Sequence, residues 1–320
     1  MTQSMQTRAS SINRALDQIG DKWSLLLIGE VLWGINTFSE LLAATGMSRG
    51  VLSDRLKWLE KVDCLQKKYP NGNPRRPSYH MTQKSVDLYD TALMALNWER
   101  QFFSEPSLDS IELFHEDCLK IFKPYLACKH CGGEVLAGDI EYQDGPGAKK
   151  DLRKMKVRRR SSKSIRDVPG SNSAYINLIH LVGDPWTANL IALAYHGIKR
   201  FDEFNQELPI ATNVLTDRLK FLVREGVFVA VPYKKRPLRV DYFLSEKGLA
   251  LFPFFQALLQ WGDKWCGDGS GPPMLLIHAT CSHLLEGEVR CDQCNEHAIA
   301  YRVHQEAVGQ GSDEKGSDED

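Results

Sequence analysis

Apolar residues recur along this chain in two periods, and the switches between those periods mark out its elements. After a polar opening and a short helix over residues 1–18, Asp21 stands where an N-cap belongs, ahead of Trp23, Leu26, Leu27 and Val31. Gly34 closes that helix. Phe38-Ser-Glu-Leu-Leu predicts a second helix and Thr45-Gly-Met a tight turn; residues 48–62 form a third, with Leu52, Leu56 and Leu59 on one face. Two helices joined by a Gly turn, the second with its polar face free, is the helix-turn-helix arrangement. Strand-like runs follow at 65–69 and 78–82, separated by the turn-rich Pro70-Asn-Gly-Asn-Pro-Arg-Arg-Pro. A basic hairpin directly after such a helix is the wing of a winged helix. Residues 88–103 close the pattern with Leu88, Leu93, Leu96, Trp98 and Phe102, more apolar surface than one small domain needs, which predicts a helix seam with a second copy.

The second copy is in the chain itself. Adding 163 to each number carries Asp54-Arg55-Leu56-Lys57 onto Asp217-Arg218-Leu219-Lys220, and Trp98 onto Trp261, without a gap. Asp184 is the predicted N-cap, and Pro185 sits at the first helical position, where a missing N–H is harmless. Residues 201–207 make the second helix, and Leu208-Pro209-Ile210 replaces the Gly turn. The third helix, 212–224, turns Leu215, Leu219 and Leu222 inward. Pro232-Tyr-Lys-Lys-Arg-Pro-Leu-Arg is its basic hairpin, followed by a strand at 240–244 and another strongly apolar helix at 249–265. The expected class is α+β, mainly helical. It places a winged helix at 1–106, a small Cys/His module at 107–145, a linker at 146–170, a second winged helix at 171–269, a second module at 270–305 and an acidic tail at 306–320.

Charge is segregated beneath a net value of −1. Residues 149–166 hold ten bases and one acid, so the stretch between the copies reads as a flexible basic linker, either a solvated spacer or an arm for DNA phosphates. The last ten residues hold five acids and one base and are expected to be disordered. No run of about 18 apolar residues occurs and the opening lacks the features of a signal peptide, so a cytoplasmic protein without a membrane span is expected.

Six of the eight cysteines fall into two clusters of identical spacing: His115, Cys118, Cys128, Cys131, and His278, Cys281, Cys291, Cys294. Successive members are separated by two, nine and two residues. In a reducing compartment this pattern favours metal over disulfide. Thiolate and imidazole suit tetrahedral zinc, and a Cys-x-x-Cys knuckle presents two sulfurs to one ion. The repeat selects among the histidines: His130, His283 and His297 correspond to Gln293, Lys120 and Glu134, and only His115 and His278 match each other. One structural zinc per copy is therefore expected, the other reading being free reduced cysteines kept from the duplication. Cys64 and Cys266 correspond to Val227 and Phe103 and read as packing residues. No nucleophile elbow, phosphate loop or open metal triad is in view, so no enzyme is expected.

Base-reading candidates lie at the start of each third helix. They are Ser48, Arg49, Ser53 and Lys57 in the first copy, and Thr212, Asn213, Thr216 and Lys220 in the second. Arg49 suits guanine and Asn213 suits adenine, which predicts an imperfect palindrome or two different half-sites. Arg55 and Arg218 either reach phosphate or pair with a nearby acid. Arg75, Arg76, Lys234, Lys235, Arg236 and Arg239, on the hairpins, are phosphate candidates, with solvated charge as the alternative.

The order Gly-Asp-x-Trp, Phe-x-Glu, Asp-Arg-Leu-Lys-x-Leu, Pro-x-Arg-x-x-Tyr and Ser-Glu-Lys-Gly resembles the HxlR family of bacterial winged-helix transcription regulators. The last element is whole at Ser245 to Gly248 and reads Thr82-Gln-Lys-Ser in the first copy; the resemblance covers 12–103 and 175–265. Longer members of the family carry a His-x-x-Cys…Cys-x-x-Cys extension. The resemblance implies DNA binding by homodimers, so the fused copies form either an intramolecular pseudo-dimer or a two-chain assembly with four winged helices. Some members sense oxidants through a cysteine near the chain start, which has no counterpart here. A sensor switching through zinc thiolates or Cys64, and an interaction scaffold that no longer reads DNA, are the alternatives.

Overall fold

The computed structural model describes residues 5–73, 76–104, 108, 111–153, 173–208, 210–236 and 238–307. The class is α+β. In the first copy β1 (Met5–Arg8) leads into α1 (Ser11–Ile19), α2 (Lys22–Leu32), α3 (Phe38–Thr45) and α4 (Arg49–Lys61). The hairpin β2 (Leu65–Lys68) and β3 (Ser78–Met81), a single turn α5 (Gln83–Val86) and the long α6 (Tyr89–Phe102) complete it. Local chemistry sets the boundaries. Asp21 accepts the Ser24 N–H at 3.3 Å, Thr37 and Glu40 form a capping box, and Gly46 closes α3 in the left-handed region at φ 61°. Leu26, Leu41, Leu52, Leu56 and Leu59 are fully buried between these helices.

A shared Cys/His layer begins with β4 (Ile111–His115), β5 (Lys120–Ile121), β6 (Pro124–Cys128), β7 (Ile140–Asp144) and β8 (Lys150–Arg153). The second copy follows as α7 (Ile176–Val182), α8 (Pro185–Tyr195), α9 (Phe201–Glu207), α10 (Thr212–Arg224), β9 (Phe228–Lys235), β10 (Leu238–Leu244), α11 (Glu246–Leu249) and α12 (Phe252–Trp265). The layer is completed by β11 (Met274–His278), β12 (His283–Leu284), β13 (Gly287–Cys291) and β14 (Val303–Ala307).

The two copies face each other about a pseudo-two-fold axis. Trp98 donates its indole N–H to the Lys247 carbonyl at 3.0 Å, and Trp261 donates to the Lys84 carbonyl at 2.6 Å. Lys84 Nζ lies 5.5 Å from the Trp261 ring and Lys247 Nζ lies 5.4 Å from the Trp98 ring. Each contact is the other shifted by one repeat, which is the signature of an isologous interface. The apolar surplus predicted on 88–103 and 249–265 is spent here, where α6 packs against α12. Glu99, fully buried, accepts from Asn177 Nδ2 at 3.0 Å and from the Leu178 N–H at 2.6 Å, tying α6 to α7. At the equivalent place on α12 stands Gly262, where a Cβ would collide with the Ser11 carbonyl. Only glycine lets α1 cross that close.

Two expected boundaries are corrected. The Cys/His modules at 107–145 and 270–305 are not separate units, because β4 pairs with β14, β6 with β13 and β7 with β11, every pair antiparallel and across the copies. In the β6–β13 pair Leu126 stands opposite Val289, its own counterpart, so the pseudo-axis passes through this pair. Among the described residues, the layer forms within one copy the two-residue β4–β5 and β11–β12 pairings and the single bridges Ala127↔Glu134 and Arg290↔His297, too little to satisfy the strand edges. The linker expected at 146–170 begins as structure: β8 pairs with β1, Met5 opposite Arg153. Residues 154–170 lie outside the described residues, as do 308–320 of the acidic tail. No helix among the described residues is long and apolar enough to cross a membrane.

Glu30 on α2 is 8% exposed, and burial pushes its carboxyl up to about 7. A carboxyl whose folded pKa lies above its unfolded value contributes stability that is full below the unfolded value, near 4.5, and is lost as pH rises through about 7. At about 1.4 kcal/mol per pKa unit the loss amounts to a few kcal/mol. Urea titrations of Glu30→Gln at pH 5 and pH 8 are expected to show most of that pH dependence removed. The variant should be more stable than the parent at pH 8 by about 1–3 kcal/mol.

Candidate nucleic-acid interface and metal centres

The third helix of each copy is held by its buried leucines and leaves its first turn in solvent. Ser48 is the N-cap of α4 and accepts the Val51 N–H at 3.4 Å; Arg49 and Lys57 are exposed and Ser53 is half-buried. On α10 the buried side is Leu215, Leu219 and Leu222, while Thr212, Asn213 and Lys220 are exposed. Thr216 is half-buried and donates its hydroxyl to the Thr212 carbonyl at 2.8 Å. The second hairpin is long: β9 and β10 pair from Phe228↔Leu244 to Lys235↔Leu238, with a register shift between Arg239 and Val240. Lys234, Lys235, Arg236 and Arg239 are all exposed on it. The first hairpin is shorter, bridged by a 3-10 turn over Pro70–Gly72, and exposes Arg76; Arg75 lies outside the described residues.

Arg55 and Arg218 each have an acidic neighbour within the protein. Arg55 Nε sits 3.3 Å from Asp21 Oδ1, and Arg218, only 6% exposed, pairs with Asp184. Asp21 and Asp184 also cap α2 and α8, so one carboxylate in each copy ties the start of a helix to the middle of the third helix. Of the two alternatives the contacts favour the ion pair, more firmly at Arg218 than at Arg55, whose side chain is 23% exposed. Sequence reasoning passed over Arg200. Its guanidinium lies 5.2 Å from the Tyr233 ring and 3.4 Å from Asp241, and with Lys199 over Phe243 it braces the second hairpin against α9. Its place one residue before the second helix was the available signal.

The eight predicted metal-ligating residues do come together in two groups of four, but not in the predicted groups. One contains His115, Cys118, Cys291 and Cys294; the other contains Cys128, Cys131, His278 and Cys281. The expectation that each copy closes its own site is corrected: the His-x-x-Cys arm of one copy meets the Cys-x-x-Cys knuckle of the other. The reason is the β6–β13 pairing, which carries each knuckle across the pseudo-axis.

In the first group His115 Nδ1 lies 3.7 Å from Cys118 Sγ and 3.3 Å from Cys294 Sγ, and Cys118 Sγ lies 3.9 Å from Cys291 Sγ. In the second, His278 Nδ1 lies 3.5 Å from Cys131 Sγ and 3.4 Å from Cys281 Sγ, and Cys128 Sγ lies 3.9 Å from Cys281 Sγ. Zinc bonds of about 2.3 Å to sulfur and 2.0 Å to nitrogen give tetrahedron edges of about 3.8 Å for S···S and 3.5 Å for S···N. The donor set therefore fits that ion in type, number and spacing. Both imidazoles are buried with Nδ1 turned inward. Nε2 of His115 lies 3.4 Å from Asp117 without a hydrogen bond between them. Leu119 and Ser282, each following an arm cysteine, are left-handed at φ 55° and 57°, and Gly132 and Asn295 follow the knuckles in the same region. Such a backbone at a leucine costs on the order of 1–3 kcal/mol and persists only where its surroundings impose it.

Cys64 is fully buried, and burial pushes its thiol up to about 12, so at neutral pH it is a packed thiol rather than a reactive thiolate.

Helix-turn-helix, hairpin and exposed recognition-type helix, all present twice, define a helix-turn-helix transcriptional regulator. Residues 18–107 and 181–270 each match the HxlR-like helix-turn-helix family, and the chain belongs to that family. An uncharacterized HTH-type transcriptional regulator of Mycobacterium tuberculosis is 32% identical over 142 residues, 44% of this chain and 90% of that protein, a stretch about one repeat long. The HTH-type transcriptional regulator YodB of Bacillus subtilis is 34% identical over 90 residues, 28% of this chain and 80% of that one. The solved reduced form of YodB has a TM-score of 0.27 at 32% identity, covering 30% of this chain and 94% of its own.

Arg218→Ala leaves the Asp184 carboxylate with its ion-pair partner gone. Thermal unfolding is expected to show a loss of about 1–3 kcal/mol. If the substitution leaves the melting temperature alone and only flattens the salt dependence of DNA binding, the ion-pair assignment is wrong.

Proposed function

We propose that the chain binds double-stranded DNA sequence-specifically as a single-chain pseudo-dimer and regulates transcription. The observation that carries the reading is the free first turn of α4 and of α10, one in each copy and related by the pseudo-axis, above a basic hairpin. Arg49 reads guanine, and Asn213 reads adenine at a position where the first copy has Gly50. Ser48, Ser53 and Lys57 flank the first, and Thr212, Thr216 and Lys220 the second. Arg76, Lys234, Lys235, Arg236 and Arg239 act as wings that hold phosphate, as would Arg75. Because the two helices carry different side chains, the target is two unlike half-sites. Structural zinc belongs to the same reading, one ion in each Cys/His group. Every ligand position is filled by protein, as in structural rather than catalytic zinc sites.

Electrophoretic shift assays with a site selected from random-sequence DNA test this. Arg49→Ala is expected to cost about 1–3 kcal/mol on the selected site and to relax preference at one base pair. The triple alanine variant at Lys234, Lys235 and Arg236 is expected to weaken all sequences alike and to lower the salt slope by about 0.9 for each phosphate that is no longer neutralised. A ratio of specific to bulk binding below about 10³ would leave the scaffold reading standing instead.

A further inference from the structure

We propose that the two Cys/His groups are inter-repeat zinc clasps. Each ion takes a His-x-x-Cys arm from one repeat and a Cys-x-x-Cys knuckle from the other, and together the ions set the separation of the two recognition-type helices. The first half of this stands on geometry alone. All four donor atoms of each group lie within 4.8 Å of one another. Each group draws two residues from 115–131 and two from 278–294, so an ion in either one joins the copies rather than finishing a ribbon inside one of them. The chain around them is already committed to that exchange. The knuckle strands pair across the pseudo-axis at Leu126↔Val289, and β4 and β11 each lie beside a strand of the other copy.

The second half rests on the DNA-binding reading. The Cys/His layer sits on the α6–α12 seam: Gln260 of α12 exchanges two hydrogen bonds with Gly287 of β13, at 2.9 and 2.6 Å. On the other side, His297 approaches Asp90 of α6 at 3.6 Å. Beyond the reciprocal tryptophan contacts, this layer joins the copies through three cross-repeat strand pairs and, with zinc, through two four-ligand bridges. With the ions removed, the arms and knuckles lose the common centre that holds them, and the copies keep the strand pairs and the seam between the long helices without that fixed centre.

Ligand pairing is read by zinc counting with native mass spectrometry, on full-length protein equilibrated with zinc and a competing chelator. The parent chain should hold two ions and Cys118→Ala one. The double variant Cys118→Ala/Cys294→Ala removes two ligands of the same clasp and should still hold one, as should Cys131→Ala/Cys281→Ala. Cys118→Ala/Cys128→Ala damages both clasps and should hold none. Ligation within a repeat gives the reverse order: one ion for the last variant and none for the first two doubles. That result overturns the proposal, and so does a parent chain that binds no zinc. The cobalt-substituted protein should show the intense visible bands of a tetrahedral thiolate site, and their absence counts against it equally.

The coupling is read on DNA probes that carry both half-sites at the selected spacing or about half a helical turn further apart. The zinc-loaded protein should prefer the selected spacing, and chelation should remove about a hundredfold of that advantage, the gain that linked binding supplies. Affinity for a probe with a single half-site should be retained. An unchanged spacing preference after chelation overturns the coupling. Absence of any specific binding by the zinc-loaded protein would remove the DNA reading and the coupling with it, while the ion counts still decide the clasps.

Discussion

Neither half of the Cys/His layer can satisfy itself. Among the described residues, each copy contributes strands whose hydrogen-bonding edges find two-residue pairings and single bridges within the copy, and strand edges left open are both unstable and adhesive. The other copy supplies the missing edges three times over, through β4–β14, β6–β13 and β7–β11. That mutual dependence is the constraint from which the rest follows. It fixes the pseudo-axis between Leu126 and Val289, brings α6 against α12, and makes the Trp98 and Trp261 contacts reciprocal. It also decides which cysteine meets which histidine. The two copies are therefore a single folding problem, although their sequences divide cleanly into two.

The sequence was most legible where structure is local. The caps at Asp21 and Asp184, the leucine faces of α4 and α10, the turn at Gly46 and the long apolar helices stand where periodicity and capping chemistry put them. The Cys/His candidates were legible as a set, since all eight fall into one or other of the two groups. Their partners were not. Spacing along the chain is identical whether a knuckle closes on its own arm or on the arm of the other copy, so no count of residues separates the two solutions. Only the pairing of β6 with β13 does, and that pairing joins residues far apart in sequence, Leu126 with Val289 at its centre. For Arg55 and Arg218 the sequence left phosphate and an acidic partner equally open for a related reason. On a helical wheel they sit near the polar side, and nothing in the local pattern reveals that the N-cap aspartate of another helix lies within reach. The short strand at 150–153 was hidden in a basic run because its partner is at 5–8, near the other end of the repeat.

Fusion changes what each half has to do. Two identical subunits present identical surfaces, whereas here the halves have diverged at the positions that face solvent. Arg49 has become Thr212 and Gly50 has become Asn213, and the short hairpin around Arg76 has become the long one that carries Lys234, Lys235 and Arg236. Residues that face the seam kept their places through the same period: Trp98 and Trp261, Lys84 and Lys247, and both Cys/His sets. Even a departure from symmetry at the seam is compensated, since buried Glu99 receives two donors from α7 while its counterpart Gly262 simply lets α1 pass.

A covalent pseudo-dimer also differs from a dimer in how it responds to concentration. Two separate chains lose their interface on dilution, and their apparent stability depends on protomer concentration. Here the copies are joined through residues 154–172, so their association is intramolecular and does not weaken on dilution. An interface that is always formed needs no metal simply to bring its halves together. What four side chains gathered on one zinc ion would add, in the clasps we propose, is precision. A seam of apolar helices and paired strands tolerates small slides, whereas a tetrahedral centre with two ligands from each copy would tolerate very little. On that proposal, the presence of all four Cys/His positions in both diverged copies is retention of geometry rather than of affinity between the halves.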